Sequence, residues 1–256
     1  MTGATNSDLM QALTLSEGEI KFYKEEGYLM IPGLLSDEAA NTLRGEVMDI
    51  METIGLSVSK LKQTSEYREG SALDRYVNSA NLLNVAAQLM GGPGSLYMPF
   101  TAVKSSGGGR FNFHQDNQYT RLDGPAINLW TALTPMSPEN GCLRVIPRSH
   151  LNGTLSSQES EDRDGHRKIE WEPSDFLPVR MRPGDCIAFS RLTVHGSGPN
   201  NTPDPRVAYA VQFHRNDVKW LDRENNNVWK LLTEHPRWNN KPVREISVPK
   251  GKQDGH

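Results

Sequence analysis

Seven short segments rich in β-branched and aromatic residues follow one another between Leu96 and Arg215, each bounded by turn-forming residues. They read "LYMPFTAV", "RFNFHQ", "AINLWTAL", "CLRVIP", "FLPVRM", "DCIAFS" and "VAYAVQFHR". Strands this short and this closely spaced build an antiparallel sandwich or barrel rather than βαβ units. The expected fold class is therefore mainly β, with the sandwich core at about 96–215.

The stretch before the strands has a helical pattern. In "SEGE", Ser16 can cap a helix while Glu19 reaches back to the Ser16 N–H, and Gly27 ends that helix after about Glu26. "YLMI" reads as a short strand and Pro32-Gly33 as a turn. Ser36 then caps a second helix, with Asp37 and Glu38 in its first turn where the helix dipole favours negative charge. Leu43, Val47, Ile50, Met51 and Ile54 share one face of it, and Gly55 ends it. A third helix is expected from Ser79 to Met90, stopped by Gly91-Gly92-Pro93. After the strands, "NDVKWLDRENNNVWKLLTEHPRW" reads as a peripheral helix. The layout expected is one domain over 1–256: a loose tail to residue 15, a helical part at about 16–92, the sandwich, and a helical extension at about 216–256. Residues 152–175 form a polar, charged insert, read equally as a solvated loop or as a lid.

Composition excludes several classes. A net charge of -3 with the signs well mixed leaves no basic block for nucleic acid. No apolar run approaches the roughly 18 residues of a membrane span, and no basic region precedes an apolar block as in a secretory signal. Cys142 and Cys186 are too few for a disulfide framework and lack zinc spacing, which favours a reduced, cytoplasmic setting. Whether the chain is a monomer or a homodimer is open at this point.

The chemistry centres on "FNFHQDNQY", residues 111–119. If 111–116 is a strand, His114 and Asp116 face the same way and can share a cation. The third ligand must come from elsewhere, with His150, His166, His195, His214 and His235 as candidates. His195 stands out because it follows "DCIAFS" and precedes Arg206 by eleven residues. That spacing suits a histidine and an arginine on neighbouring strands of a hairpin, both facing inward. Two histidines and a carboxylate on one face of an octahedral ion leave three positions open, the arrangement used by non-haem Fe(II) oxygenases. An arginine nearby suits the distal carboxylate of a dicarboxylic co-substrate.

The chain resembles the phytanoyl-CoA dioxygenase family of Fe(II)/2-oxoglutarate-dependent oxygenases. The likeness rests on "FHQD" (113–116), "LWTAL" (129–133), "PENGCLRVIPRSH" (138–150), "MRPGD" (181–185) and "HGSGPN" (195–200) followed by Arg206. It implies a double-stranded β-helix (jelly-roll, cupin-like) core with helices packed on one side. It also implies iron on His114, Asp116 and His195, through which the chemistry runs. Arg206 would hold the far carboxylate of 2-oxoglutarate, with Ser197 and Trp130 as further co-substrate contacts, and O2 would be the second co-substrate. The family has a non-ligand histidine where His150 stands, so that residue reads as structural. Asp116 favours hydroxylation over halogenation, since related halogenases lack the carboxylate.

The expected activity is hydroxylation of a C–H bond in a small polar substrate, with release of succinate and CO2. Asn112, Gln118 and Tyr119, flanked by Arg110 and Arg121, are the candidate substrate contacts. They suit an amino acid, an organophosphonate or a polar biosynthetic intermediate. A cupin-like metal isomerase or lyase on the same barrel is the alternative, and a binding module with incidental histidines is a third reading.

Overall fold

The computed structural model describes residues 9–55, 61–160, 166–235 and 242–246. The first residues of the expected tail, residues 161–165 of the polar insert, and residues 236–241 and 247–256 of the expected extension lie outside the described residues. Four helices, α1 (Glu17–Glu26), α2 (Asp37–Ile54), α3 (Ala72–Val77) and α4 (Ala80–Met90), fall in the first part of the chain. Among them lie strands β1 (Tyr28–Ile31) and β2 (Leu61–Lys62). The strands continue with β3 (Gly94–Lys104), β4 (Phe111–His114), β5 (Leu122–Asp123), β6 (Ala126–Ala132) and β7 (Leu143–Val145). Then come β8 (Ser157–Glu159), β9 (Arg167–Ile169), β10 (Leu177–Pro178), β11 (Cys186–Ser190) and β12 (His195–Ser197). The last are β13 (Arg206–Arg215), β14 (Lys219–Asp222) and β15 (Val228–Leu231).

The helix boundaries follow the capping chemistry. The Ser16–Glu19 capping box forms, and Gly27 ends α1 in the left-handed conformation. Ser36 and Ser79 accept from the third backbone N–H of α2 and α4. The apolar face of α2, Leu43 to Ile54, is buried, and each such side chain contributes about 1.5–3 kcal/mol. The short α3, capped by Ser71, was not foreseen because six residues are too few to show a period.

Two antiparallel sheets make the core. The larger has the order β1-β11-β6-β13-β3-β2 and the smaller β10-β7-β12-β4. Alternation along β13 shows how one strand serves two layers. Val207, Tyr209 and Val211 pack against the helices, with Leu43, Val47 and Leu82 in the same cluster. Ala208 and Ala210 face the other way, toward Leu143 and Val145 of the smaller sheet. This is the expected jelly roll with helices on its outer face. The two cysteines are buried and free.

The C-terminal segment departs from expectation. Residues 219–231 form a hairpin, β14 paired with β15, which extends to β5 in a three-stranded sheet. The Asn225-Asn226-Asn227 run explains the difference. Asn226 and Asn227 adopt φ of 60° and 56°, which a helix cannot contain and which asparagine tolerates. Lys230 Nζ then closes the hairpin on Asp222 at 2.7 Å.

Candidate active site

Strand pairing assembles the site. β4 and β12 are antiparallel neighbours in the smaller sheet, and His114 lies directly opposite His195. Their rings are 4.2 Å apart, centre to centre. Asp116 is not on the strand, contrary to the reading of 111–116 as one continuous strand. β4 stops at His114, and Asp116 opens a 3-10 turn, Asp116–Gln118. Gln115 ties that turn down, its side-chain amide donating to the carbonyls of Gly153 and Leu192. The result still brings the three groups together. Asp116 Oδ1 lies 3.9 Å from His114 Nε2 and 3.6 Å from His195 Nε2. One donor atom from each residue falls within 4.8 Å of the others.

Both imidazoles have their tautomer set by their own backbone. His114 Nδ1–H donates to the Asn112 carbonyl at 2.8 Å and His195 Nδ1–H to the Thr193 carbonyl at 3.0 Å. Each Nε2 lone pair is thereby left facing the carboxylate, as a metal ligand requires. Burial, reinforced by His195, pushes the His114 pKa down to about 3, so the ring is neutral at physiological pH. Burial opposes ionisation of Asp116, but His195, Arg191, His114 and the Asn128 amide outweigh it and hold the carboxyl below its ordinary range. Two imidazole nitrogens and one carboxylate oxygen make a donor set that fits Fe(II).

A cavity of about 520 Å³ opens from these residues into the barrel, lined among others by Trp130, Ser197 and Arg206. β13 presents Arg206, Ala208, Ala210 and Gln212 on one face, and of these Arg206 and Gln212 line the cavity. Arg206 is fully buried, its guanidinium 5.2 Å above the Trp130 ring. Its Nε and Nη2 have no hydrogen-bond partner, and no ion pair to it is formed among the described residues. An unpaired buried guanidinium is costly, and a carboxylate at this spot would satisfy it. Opposite Arg206 on β3 stands Lys104, also fully buried. Its Nζ donates to Ser197 Oγ at 2.8 Å and to the Gly198 carbonyl. The pairing differs from the expected hairpin: His195 sits in the smaller sheet and Arg206 in the larger, so the two face each other across the barrel.

The remaining candidates separate. Tyr119 and Thr120 line the cavity, and Tyr119 Oη accepts from the Arg167 N–H at 3.1 Å. His166 lines it too and stacks edge-on against Phe111. The β8–β9 hairpin of the polar insert therefore forms part of the wall. Asn112 and Gln118 do not line the cavity. Asn112 Nδ2 donates to Ser160 Oγ, and Gln118 bonds to the Gln115 N–H and the Leu155 carbonyl. The turn that begins at Asp116 carries Gln118 aside, whereas Asn112 lies within β4 and its amide is taken up by Ser160. Arg110 pairs with Glu172 at the surface. His150 Nε2–H donates to the Lys24 carbonyl, and its ring packs against Gly27, where any Cβ would clash. His214 Nδ1–H donates to the Arg215 carbonyl, away from the cavity, and His235 stacks on Trp220.

The sequence profile of the family described as "Phytanoyl-CoA dioxygenase (PhyH)" matches residues 23–208. The chain belongs to this family. Among PhyH relatives, a methylphosphonate hydroxylase of Gimesia maris is 28% identical over 218 residues, covering 78% of this chain and 81% of that one. The peroxisomal phytanoyl-CoA dioxygenase of Homo sapiens is 28% identical over 246 residues, covering 80% and 71%. The fold matches that of the epimerase SnoN, solved with Fe3+, alpha ketoglutarate and nogalamycin RO. The TM-score is 0.70 at 20% identity, over 92% of this chain and 96% of that one. This PhyH protein is a non-haem iron, 2-oxoglutarate-dependent oxygenase, and the isomerase, lyase and binding-module readings are set aside. No helix among its described residues is long and apolar enough to cross a membrane.

Sequence reasoning missed Lys104, Asn128, Arg191 and Gln212. One signal was available for two of them. Gln212 is an even number of residues from Arg206 on one strand, and Asn128 stands two from Trp130, so each shares a face with a residue already singled out.

Proposed function

We propose that the protein hydroxylates a C–H bond of a small, polar, anionic substrate, with an organophosphonate as the first class to test. Each turnover converts R–H, O2 and 2-oxoglutarate to R–OH, succinate and CO2. The observation that carries the reading is the closeness of the His114, Asp116 and His195 donor atoms beside a cavity containing an unpaired arginine. Likeness to a methylphosphonate hydroxylase supports the substrate class. Gln63, Thr64, Ser65 and Thr120 contribute polar groups to the cavity lining, which supports a substrate with polar groups.

His114, Asp116 and His195 hold the iron in this reading, and Arg206 with Ser197 binds the distal carboxylate of 2-oxoglutarate beside Trp130. Iron and 2-oxoglutarate together supply the power to oxidise an unactivated C–H bond with O2. The protein positions and dries the site: Phe100, Ala102, Trp130 and Phe189 wall it with apolar surface. Lys104 fixes the Ser197 hydroxyl by donating to its oxygen, which leaves the Ser197 proton for the carboxylate. In this reading the described residues serve as a single oxygenase domain.

The test is succinate release from Fe(II), 2-oxoglutarate and O2 across alkylphosphonates, amino acids and their uncharged analogues. Stimulation by phosphonates above the substrate-free rate is the expected outcome. Stimulation by uncharged analogues alone would overturn the substrate class.

A further inference from the structure

Asp116 has two oxygens, and the structure treats them differently. Oδ1 faces the two histidine nitrogens. Oδ2 accepts from Gln212 Nε2 at 2.9 Å and from Asn128 Nδ2 at 3.3 Å. A side-chain amide can be turned over, and the opposite orientation of Gln212 would set its oxygen against Oδ2, acceptor against acceptor. Arg191 decides between the two. Its Nη1 donates to Gln212 Oε1 at 2.6 Å, and a guanidinium has only donors, so the amide oxygen must stay on that side.

Arg191 is itself held firmly. Its Nη2 donates to the Asp116 carbonyl at 2.8 Å, and its guanidinium lies 4.7 Å from the centre of the Tyr97 ring. It directly follows β11, where its N–H donates to the Ala126 carbonyl. Asn128 Oδ1 is buried with no partner, so nothing at its far end sets the orientation of that second amide.

We infer that Arg191 is a positioning residue which, by locking the Gln212 amide, confines Asp116 to one-oxygen binding of the metal. The inference rests on His114, Asp116 and His195 being the metal ligands. With Oδ2 occupied by amide donors, only Oδ1 is available. A carboxylate that bound through both oxygens would use one of the three coordination positions that 2-oxoglutarate and O2 require. Outer hydrogen-bond partners of this kind orient metal ligands and alter affinity by about 10–100-fold when removed.

The experiment titrates Mn(II) into the metal-free protein without oxygen or substrate, so it does not depend on turnover. It compares wild type, Arg191→Met, Gln212→Leu and the double variant. Each single change should weaken Mn(II) binding about tenfold or more. The double variant should bind no more weakly than Gln212→Leu, because Arg191 acts through Gln212. Arg191→Lys, which keeps a donor but not the planar fork, should fall between wild type and Arg191→Met. The Fe(II)–2-oxoglutarate absorption band should shift in both single variants under anaerobic conditions, and thermal unfolding of the metal-free proteins reports any loss of fold. Unchanged metal affinity in folded Arg191→Met and Arg191→Lys would overturn the inference, as would losses that add in the double variant. Failure of the wild type to bind Mn(II) would instead remove the ligand assignment on which it rests.

Discussion

The two ends of the cavity are built from different material. The inner end, with Arg206, Trp130, Ser197 and Lys104, is carried on β13, β6, β12 and β3, all paired on both sides. The outer end, with Gln63 to Glu66, Tyr119, Thr120 and His166, lies on connecting segments and a two-stranded hairpin. Side chains on paired strands hold position to fractions of an ångström, whereas connections tolerate change. Under the proposed function, the difference places the co-substrate at the inner end and substrate choice at the outer end.

The largest effect falls on the proposed metal ligands between them. Asp116→Ala or His195→Ala should abolish metal binding and lower succinate release by about 10³-fold or more, measured with 2-oxoglutarate at saturation. Arg206→Ala comes next. It should raise the KM for 2-oxoglutarate by roughly 100-fold, since a charged hydrogen-bonding pair contributes about 3 kcal/mol, and leave Mn(II) affinity unchanged. An equal loss of metal binding would mean that the inner end and the ligands are not separable.

Lys104 sharpens the comparison through pH. Burial, with Arg206 and Arg144 nearby, pushes its pKa down to about 6, while Cys142 acts weakly the other way. In the unfolded chain the lysine keeps its proton up to about pH 10.4. Between these values the unfolded state binds more protons, so the Lys104 contribution to stability rises with pH from about 6 upward. For one group the slope is at most about 1.4 kcal/mol per pH unit. Urea midpoints measured from pH 6 to 9 should rise less steeply in Lys104→Met than in the wild type. Parallel curves would show that the lysine is charged in the folded protein.

The smallest effect belongs to the outer end. Tyr119→Phe removes the acceptor for the Arg167 N–H and should change the substrate KM by about 2–10-fold, matching roughly 0.5–1.5 kcal/mol for one hydrogen bond. The KM for 2-oxoglutarate should stay constant, and a change in it would blur the division between the two ends.

Much of this was legible in the sequence because the signals are local. Capping serines, terminal glycines and the β-rich texture of "AINLWTAL" and "VAYAVQFHR" each depend on a few neighbouring residues. What was not legible depends on pairing between distant segments. Nothing near His195 says that it lies opposite His114, and nothing near Lys104 says that it lies opposite Arg206. The turn at Asp116 shows the same limit. A polar residue two places after a strand histidine fits either a longer strand or a turn, and Gln115, through contacts with Gly153 and Leu192, selects the turn. The C-terminal segment reads as a peripheral helix, but three consecutive asparagines reverse the chain.

The histidine tautomers carry a consequence for descent. His114 and His195 each take their orientation from a carbonyl two residues earlier in the same segment, so neither borrows it from a distant part of the protein. Two short peptides, each self-instructed, can therefore survive wholesale replacement of the loops around them. A lineage can exchange its substrate by rewriting the cavity mouth without relearning how to present two imidazole nitrogens.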